Sequence, residues 1–449
     1  MTPFPISEAS PVVHGDPLPD FADCVVIGGG IIGVTTALYL ARDGHKVVLL
    51  EKGRIAGEQS ARNWGWIRAQ ARDIDEIPIA LTARDLWQDL ADKVDCDVGL
   101  ARTGTLYLAR RDSELAAYEH WLKDASPTGL DSRMLSAAEV AAKLPDADAS
   151  RWKGALWTPS DMRAEPFVAV PAMARLAARE GVIIRENCAV RGLDIQAGRI
   201  TGVVTEQGGV KAASVVLAGG AWSSLMLRRH GVSIPQISVL SSVARTSPAD
   251  AVFDGCAADH DVAFRLRSDG GYTLAPGFRH GVYLGPAALR AMGYYLKGAV
   301  SDPFGRRYHL AAPKGFPDAW GTPRHWSDSE ESPFERMRVL NPAPVAPWLA
   351  RAARDFGGCF PGLSGGEVVA TWAGMIDVMP DSVPVVDRVA DLPGLVLATG
   401  MSGHGFGIGP GFGRIAADLV LGRDPGHDLS RFRLSRFSDG SPLVPGPSL

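Results

Sequence analysis

Hydrophobic and polar positions change period several times along the chain. Cys24-Val25-Val26-Ile27 is a continuous apolar run of strand length, and it leads straight into Gly28-Gly29-Gly30-Ile31-Ile32-Gly33. A helix-length segment follows, then a second run, Val47-Val48-Leu49-Leu50, closed by Glu51. Strand, glycine turn, helix, strand and acid in that order predict a dinucleotide-binding βαβ unit. Gly28 permits the tight turn, Gly30 lets backbone approach a pyrophosphate, and Gly33 lets the helix pack closely on the strand. The helix start at Ile31 and Ile32 offers unpaired N–H groups and a partial positive charge to phosphates. Glu51 stands 18 positions beyond Gly33, where a carboxylate reaches a ribose hydroxyl.

Beyond Trp66 the pattern from about Glu76 to Ala142 reads as mostly helical, with Ile79, Leu81, Leu86 and Leu90 on one face. Pro166 opens a helix over Phe167–Glu180 that Gly181 stops. A meander is expected over Val182–Arg185, Ala189–Leu193 and Ile200–Thr205, with Gly208-Gly209 as its last turn before Val215–Gly220. Short strand-like runs fill Val239–Gly285, and residues 286–345 give no assignable pattern. A buried strand, Leu395–Thr399, precedes a glycine loop and a helix near Gly411–Leu421.

Nucleotide-type βα patterns thus occupy the start, middle and end. They predict an α/β fold with a discontinuous Rossmann-like cofactor domain (residues 21–75, 155–235 and 365–430), which the resemblance below implies to be FAD-binding. The insertions, 76–154 and 236–364, predict a second α+β substrate domain with an antiparallel sheet. Residues 1–20 read as a disordered lead rather than a signal peptide, and 431–449 as a tail.

The 449 residues exceed one usual core, and 46% hydrophobic with 21% charged residues is ordinary for a soluble globular protein. A net charge of −4 argues against nucleic acid as a partner. No apolar stretch is long enough for a membrane span. Five scattered cysteines suit a reducing cytoplasm better than a disulfide framework or a metal site.

Three further segments, with the fingerprint, carry a resemblance. They are Gly57-Glu58-Gln59-Ser60-Ala61-Arg62-Asn63-Trp64-Gly65, then Val216-Leu217-Ala218-Gly219-Gly220-Ala221-Trp222-Ser223, then Ala398-Thr399-Gly400-Met401-Ser402-Gly403-His404-Gly405-Phe406. Over residues 21–437 the chain resembles the FAD-dependent amine and amino-acid oxidoreductases of the D-amino-acid oxidase, glycine oxidase and sarcosine oxidase type. The resemblance implies FAD contacts from Glu51-Lys52, Ser60, Arg62, Asn63, Trp64, Ala218, Gly219, Trp222, Gly400, Gly403, Gly405 and Phe406. It also implies Val190, as an adenine-contacting strand residue or plain core. His404 is either a catalytic base or a loop anchor. With no Cys or His in Gly57–Trp66 or Thr371–Asp381, non-covalent FAD is expected.

The implied reaction oxidises a C–N bond of a secondary amine or amino acid, with hydride passing to flavin N5 and the imine hydrolysed, and O2 or another acceptor taking the electrons. The alternatives are a dehydrogenase feeding a quinone or carrier protein, and a non-catalytic FAD-binding subunit of a larger oxidase. Oligomeric state does not follow from the chain. Arg68, and more weakly Arg72, are candidates for a substrate carboxylate, since guanidinium pairs with it through two hydrogen bonds. Arg265, Arg267 and Tyr272 lie in a hairpin that in relatives covers the substrate, or on a solvated strand face. Relatives carry a carboxylate-binding arginine where this chain has Ile376, beside Asp377, and a lysine where it has Gly407.

Overall fold

The two opening apolar runs form neighbouring parallel strands, β1 (Cys24–Ile27) and β2 (Val47–Leu50), paired from Cys24↔Val47 to Ile27↔Leu50. The computed structural model describes residues 4–277, 279–301 and 306–446. In the sheet built on β1, the order is Val385–Arg388, Leu395–Thr399, Ser214–Leu217, β1, β2, Ile183–Arg185. Only the outermost pair, Val385–Arg388 with Leu395–Thr399, is antiparallel. Strands from the start, middle and end of the chain therefore share one layer, as the recurring βα patterns predict. Helix α1 (Ile31–Arg42) covers one face, packed against the helices Pro166–Arg179 and Gly405–Leu421. The other face meets a three-stranded antiparallel sheet, Val190–Gln196, Arg199–Thr205 and Gly208–Lys211.

The second large sheet is mixed and mainly antiparallel. Its long central pair, Ile237–Thr246 and Val368–Val378, runs in register from Ile237↔Val378. This sheet faces the nucleotide-type layer through the loop carrying α2 (Gln59–Arg62) and the short strand β3 (Trp66–Ile67).

Several expectations are corrected. The stretch Glu76–Ala142 holds α3 (Ile77–Lys93) and helices Asp112–Ala125 and Ala137–Lys143, but strands Thr105–Ala109 and Arg133–Ser136 separate them. Thr105-Leu-Tyr-Leu-Ala is buried on both faces, so it lacks the alternation that marks a strand. Ile183–Arg185 leaves the expected meander for the parallel sheet, and Gly208-Gly209 lies in a strand rather than a turn. The unassigned region 286–345 contains the helix Pro286–Ser301 and the strand Arg306–His309.

The segment expected as a disordered lead is folded onto the protein from residue 4 on, residues 1–3 lying outside the described residues. Ser10 and His14 are buried, and Glu186 accepts from the N–H groups of Val13 (2.6 Å) and His14 (2.9 Å). Arg54 donates to the carbonyls of Ser10 (2.6 Å) and Glu8 (2.9 Å). The C-terminal segment is likewise anchored, by buried Phe432 and by Arg436 on Asp381 (2.8 Å), with 447–449 outside the described residues.

Arg265 ties three elements together. Its guanidinium pairs with Glu165 through Nη1 (2.8 Å) and Nη2 (3.1 Å), while Nε donates to the Trp64 carbonyl (2.7 Å). Arg267 stands 3.7 Å from the same carboxylate. Burial works to raise the Glu165 carboxyl, but Arg265 and Arg267 outweigh it and hold it at about 2. Replacing Arg265 by Met strands a buried carboxylate, a change that costs about 3–5 kcal/mol. Thermal unfolding of Arg265→Met is expected to show that loss at neutral pH. Because the folded value is depressed, the wild-type advantage is complete above the unfolded value of ~4.3 and disappears as pH falls toward 2.

Candidate cofactor cleft and substrate end

A cleft opens where β1 meets its glycine turn. Gly28 has φ +112°, and a Cβ there would collide with the Ala218 carbonyl oxygen. A Cβ on Gly33 would overlap the Gly28 carbonyl oxygen. Both positions exclude side chains because backbone passes so closely. Gly30 caps α1, and the Ile31 N–H donates to Ser60 Oγ (2.9 Å), so the second loop is fastened to the helix start. The N–H groups of the rest of the first turn have no intrahelical acceptor by geometry. They belong to a wall formed by Gly28, Gly30, Ile31 and Ile32.

Glu51 accepts from the N–H groups of Gly29 and Gly53, both at 2.7 Å. Burial pushes its carboxyl up to about 7. Lys52 spans Glu58 (2.7 Å) and the carbonyls of Met337 and Arg338, with its ammonium 4.4 Å from the centre of the Trp222 ring. Val190, Ala218, Gly219 and Trp222 line the same cleft. So does Cys188, whose thiol burial pushes up to about 11.

Arg62 and Asn63 also line it, but their polar atoms are spent on the chain itself. Arg62 donates to the carbonyls of Gly57 (2.9 Å), Ala373 (2.9 Å) and Ile6 (2.9 Å). Asn63 bridges the Ser60 carbonyl (3.0 Å) and the Gly65 N–H (2.8 Å). They shape the loop.

The last glycine loop divides its roles. Gly403, Gly405 and Phe406 line the cleft. Gly400, at φ +72°, admits Met379, whose Cγ would lie 2.5 Å from a Cβ there. Asp377 holds this loop by accepting from the Gly400 N–H (2.8 Å), and burial pushes its carboxyl to about 6. His404 is turned away from the cleft, with Nδ1 3.5 Å from Glu76 Oε1. Burial and the Arg72 charge hold it near 4, so it is neutral at pH 7.

The cleft is also lined by Trp64, Trp66, Tyr107, Ile376, Arg68 and Arg72. Gly407 lets them approach, since a Cβ there would lie 3.1 Å from the Trp66 carbonyl oxygen and 3.3 Å from the Arg68 nitrogen. A side chain at this position would press on that backbone. Arg68 is 7% exposed, donates to the Gln70 carbonyl (2.5 Å), and its guanidinium carbon lies 5.3 Å from the Tyr107 ring centre. Arg72 is 3% exposed and its Nη1 is buried with no hydrogen-bond partner. Burial first, then the neighbouring Arg68 charge, push Arg72 down to about 9.

Arg265, Arg267 and Tyr272, expected over the substrate, do not line this cleft. The two arginines serve Glu165, and the Tyr272 hydroxyl lies between the Asp250 carbonyl (3.1 Å) and the Val252 N–H (2.9 Å), inside a separate aromatic core with Phe264 and Phe356. Alternation placed the two arginines on one face correctly, yet that face is covered by protein. Tyr107 was not anticipated, because its segment reads as helix. Among the described residues, no cluster of His, Cys, Asp and Glu could hold a metal ion, and no helix is long and apolar enough to cross a membrane.

The cleft suits FAD. A side-chain-free cradle and a helix N-terminus would suit a pyrophosphate, Glu51 a ribose, and the glycine loop Gly403–Gly405 would let backbone reach a ring edge. Comparison with known proteins agrees. The chain is 26% identical to glycine oxidase of Geobacillus kaustophilus over 92% of its own length and 97% of that protein's. It is 25% identical to human mitochondrial sarcosine dehydrogenase over 94% of this chain, but spans only 42% of that longer protein. Its fold superposes on L-amino acid deaminase from Proteus vulgaris with TM-score 0.88 and 30% identity, covering 95% of this chain and all of the other. The deaminase from Proteus myxofaciens, solved with anthranilate, gives TM-score 0.90 at 28% identity, covering 96% and 98%. Residues 23–419 match the family described as DAO, FAD dependent oxidoreductase, and the chain belongs to that family.

Proposed function

We propose that the chain oxidises the C–N bond of an amino acid, primary or N-substituted, whose carboxylate is received by Arg68 and Arg72. The observation that carries this reading is the buried, unpartnered Nη1 of Arg72 beside Arg68 in an otherwise aromatic and apolar wall. A guanidinium kept from water without a protein acceptor is prepared for an anion from outside. Names among the relatives, glycine oxidase and L-amino acid deaminase, are consistent with an amino-acid substrate.

Non-covalently bound FAD supplies the hydride acceptor for C–N oxidation, whose imine product water hydrolyses. The chain does the rest. Its two guanidiniums fix the carboxylate and so the orientation of the adjacent carbon. They also disfavour an ammonium nearby, which lowers the substrate amine toward the neutral form that oxidation requires. Trp64, Trp66, Tyr107 and Phe406 exclude water around the reacting bond. His404 takes no part as a base, because it does not line the cleft and faces Glu76 instead.

Anaerobic addition of an amino-acid and amine panel to the yellow holoprotein tests the reading. Bleaching by carboxylate-bearing amines supports it; a flavin that none of them reduces would indicate a non-catalytic subunit. An oxygen electrode then separates an oxidase from a dehydrogenase that feeds a quinone or carrier protein. Arg68→Met and Arg72→Met are expected to raise KM for carboxylate substrates about 10–100-fold, the value of a charged hydrogen bond, with a smaller change in kcat. Equal losses on carboxylate and amide substrates would remove these arginines from the role.

Glu51 carries a second prediction. Ribose hydroxyls donate to its ionised form, whereas burial pushes its carboxyl up to about 7. FAD affinity of the apoprotein is therefore expected to rise as pH increases through about 7. Glu51→Gln should bind about 10–100-fold more weakly at pH 8 and lose that pH dependence. Titration by flavin fluorescence quenching checks both.

A further inference from the structure

The opening segment, residues 4–16, does not line the cleft, yet it is bonded to a loop that does. Arg54, Ala56, Glu58 and Arg62 of that loop all line the cleft. Arg54 donates through Nε to the Ser10 carbonyl (2.6 Å) and through Nη2 to the Glu8 carbonyl (2.9 Å), while Arg62 Nη2 donates to the Ile6 carbonyl (2.9 Å). Glu186 divides its carboxylate between the two. Its Oε2 accepts from the N–H groups of Val13 (2.6 Å) and His14 (2.9 Å), and its Oε1 from the Ile55 N–H (2.7 Å) in the loop.

We infer that Arg54 and Glu186 are positioning residues for the cofactor, through which the opening segment sets how tightly FAD is held. The inference rests on FAD as the cofactor and not on the carboxylate reading of Arg68 and Arg72. Arg54 is 8% exposed and Glu186 3%. If the segment lifts, Arg54 loses two acceptors and one oxygen of Glu186 loses both its donors. A buried charge stripped of partners is costly, so segment and loop take up their order together. On its other side the loop is tied to the nucleotide unit, by the Ala56 N–H on the Gly29 carbonyl (2.9 Å) and by Ser60 Oγ on the Ile31 N–H (2.9 Å). A ligand held between glycine turn and loop favours the same loop conformation that the segment favours. Each then strengthens the other by one factor.

Both ends of the segment are anchored apart from Arg54 and Glu186. The Phe4 ring centre lies 4.6 Å from that of Trp372 and 5.0 Å from that of Phe167. Trp372 in turn donates through Nε1 to the Arg62 carbonyl (2.9 Å), so this end also bears on the loop. At the other end the Asp16 carboxylate accepts from the Ile184 N–H (3.1 Å), on the edge strand of the parallel sheet.

The competing role is simple adhesion of a terminus, with no bearing on the cofactor. Amide hydrogen exchange of the full chain, apoprotein against holoprotein, separates the two. The N–H groups of Val13 and His14 are expected to exchange about fivefold or more slowly with FAD bound, although neither residue lines the cleft. The helix Ala137–Lys143, equally absent from the cleft wall, is the control and should keep its rate. Glu186→Gln and Phe4→Ala, both outside the cleft wall, are expected to weaken FAD binding to the apoprotein by about fivefold or more, read by flavin fluorescence quenching. In Glu186→Gln, FAD should no longer slow exchange at Val13 and His14.

Equal exchange at Val13 and His14 with and without FAD would overturn the inference, and this arm needs no variant to fold. Slowing shared equally by Ala137–Lys143 would report global stabilisation alone and overturn it too. So would variants that lose thermal stability as apoprotein yet hold FAD as tightly as the wild type. Bleaching of bound flavin by carboxylate-bearing amines should persist in Phe4→Ala; its absence in the wild type bears on the proposed function and leaves the FAD affinities to decide this inference.

Discussion

A side chain on Gly33 would overlap the carbonyl oxygen of Gly28, and that forbidden volume organises the cleft. With it empty, α1 descends onto β1 and its first turn points along the line of the glycine turn. The same rule recurs on the opposite side of α1. Gly409 would place a Cβ 2.8 Å from Ile31, and a Cβ on Gly413 would collide with Thr35. Helix Gly405–Leu421 therefore lies against α1 along a stripe of glycines. Its own N-terminal residues, Gly405 and Phe406, reach the cleft because of that contact. Two helices from opposite ends of the chain are aimed by backbone proximity, and substituting any one glycine moves a wall of the cleft.

Charge is handled differently in the two layers. At Glu165 the acid and its arginines satisfy one another, so the pair fastens the hairpin of residues 263–275 to the loop after α2 and offers nothing to a ligand. At the cleft the balance is incomplete: Arg72 Nη1 is buried without a hydrogen-bond partner. Buried ionic groups with full partners stabilise or specify a fold, whereas unmatched ones store electrostatic potential for a ligand. The contrast explains why two arginine pairs of similar burial have different consequences.

Local spacing made part of this legible. The fingerprint Gly28–Gly33 with Glu51, the loop Gly57–Gly65 and the loop Gly400–Phe406 announce themselves because backbone geometry at each demands particular residues within a few positions. Arg68 was reachable by its adjacency to the second loop. Other features depend on partners far along the chain. The proline-rich opening looks unstructured because the arginines that donate to its carbonyls, Arg54 and Arg62, lie some forty or more residues away. Tyr107 hides in a strand buried on both faces, where no alternation betrays it. Arg265 and Arg267 show the reverse difficulty: their shared face was readable, but not that Glu165 would cover it. The glycines of Gly405–Leu421 lower intrinsic helix propensity, so the pattern marked the helix only from Gly411 although tertiary packing starts it at Gly405.

Asp377 links the two layers at the point where chemistry is expected. Its backbone is in the strand Val368–Val378, paired to Ser238, while its carboxylate takes the Gly400 N–H from the loop that follows Leu395–Thr399. The neighbouring Ile376 lines the cleft from the strand side. Ser402 adds a second tie, its N–H donating to the Asp377 carbonyl at 2.9 Å. The wall that would touch a substrate and the loop that would touch a flavin edge are consequently one mechanical unit. Where relatives place an arginine, this chain has an apolar residue whose neighbour is committed to holding the loop. In the proposed reading the carboxylate-binding work falls to Arg68 and Arg72, on the segment that Gly407 allows to come close.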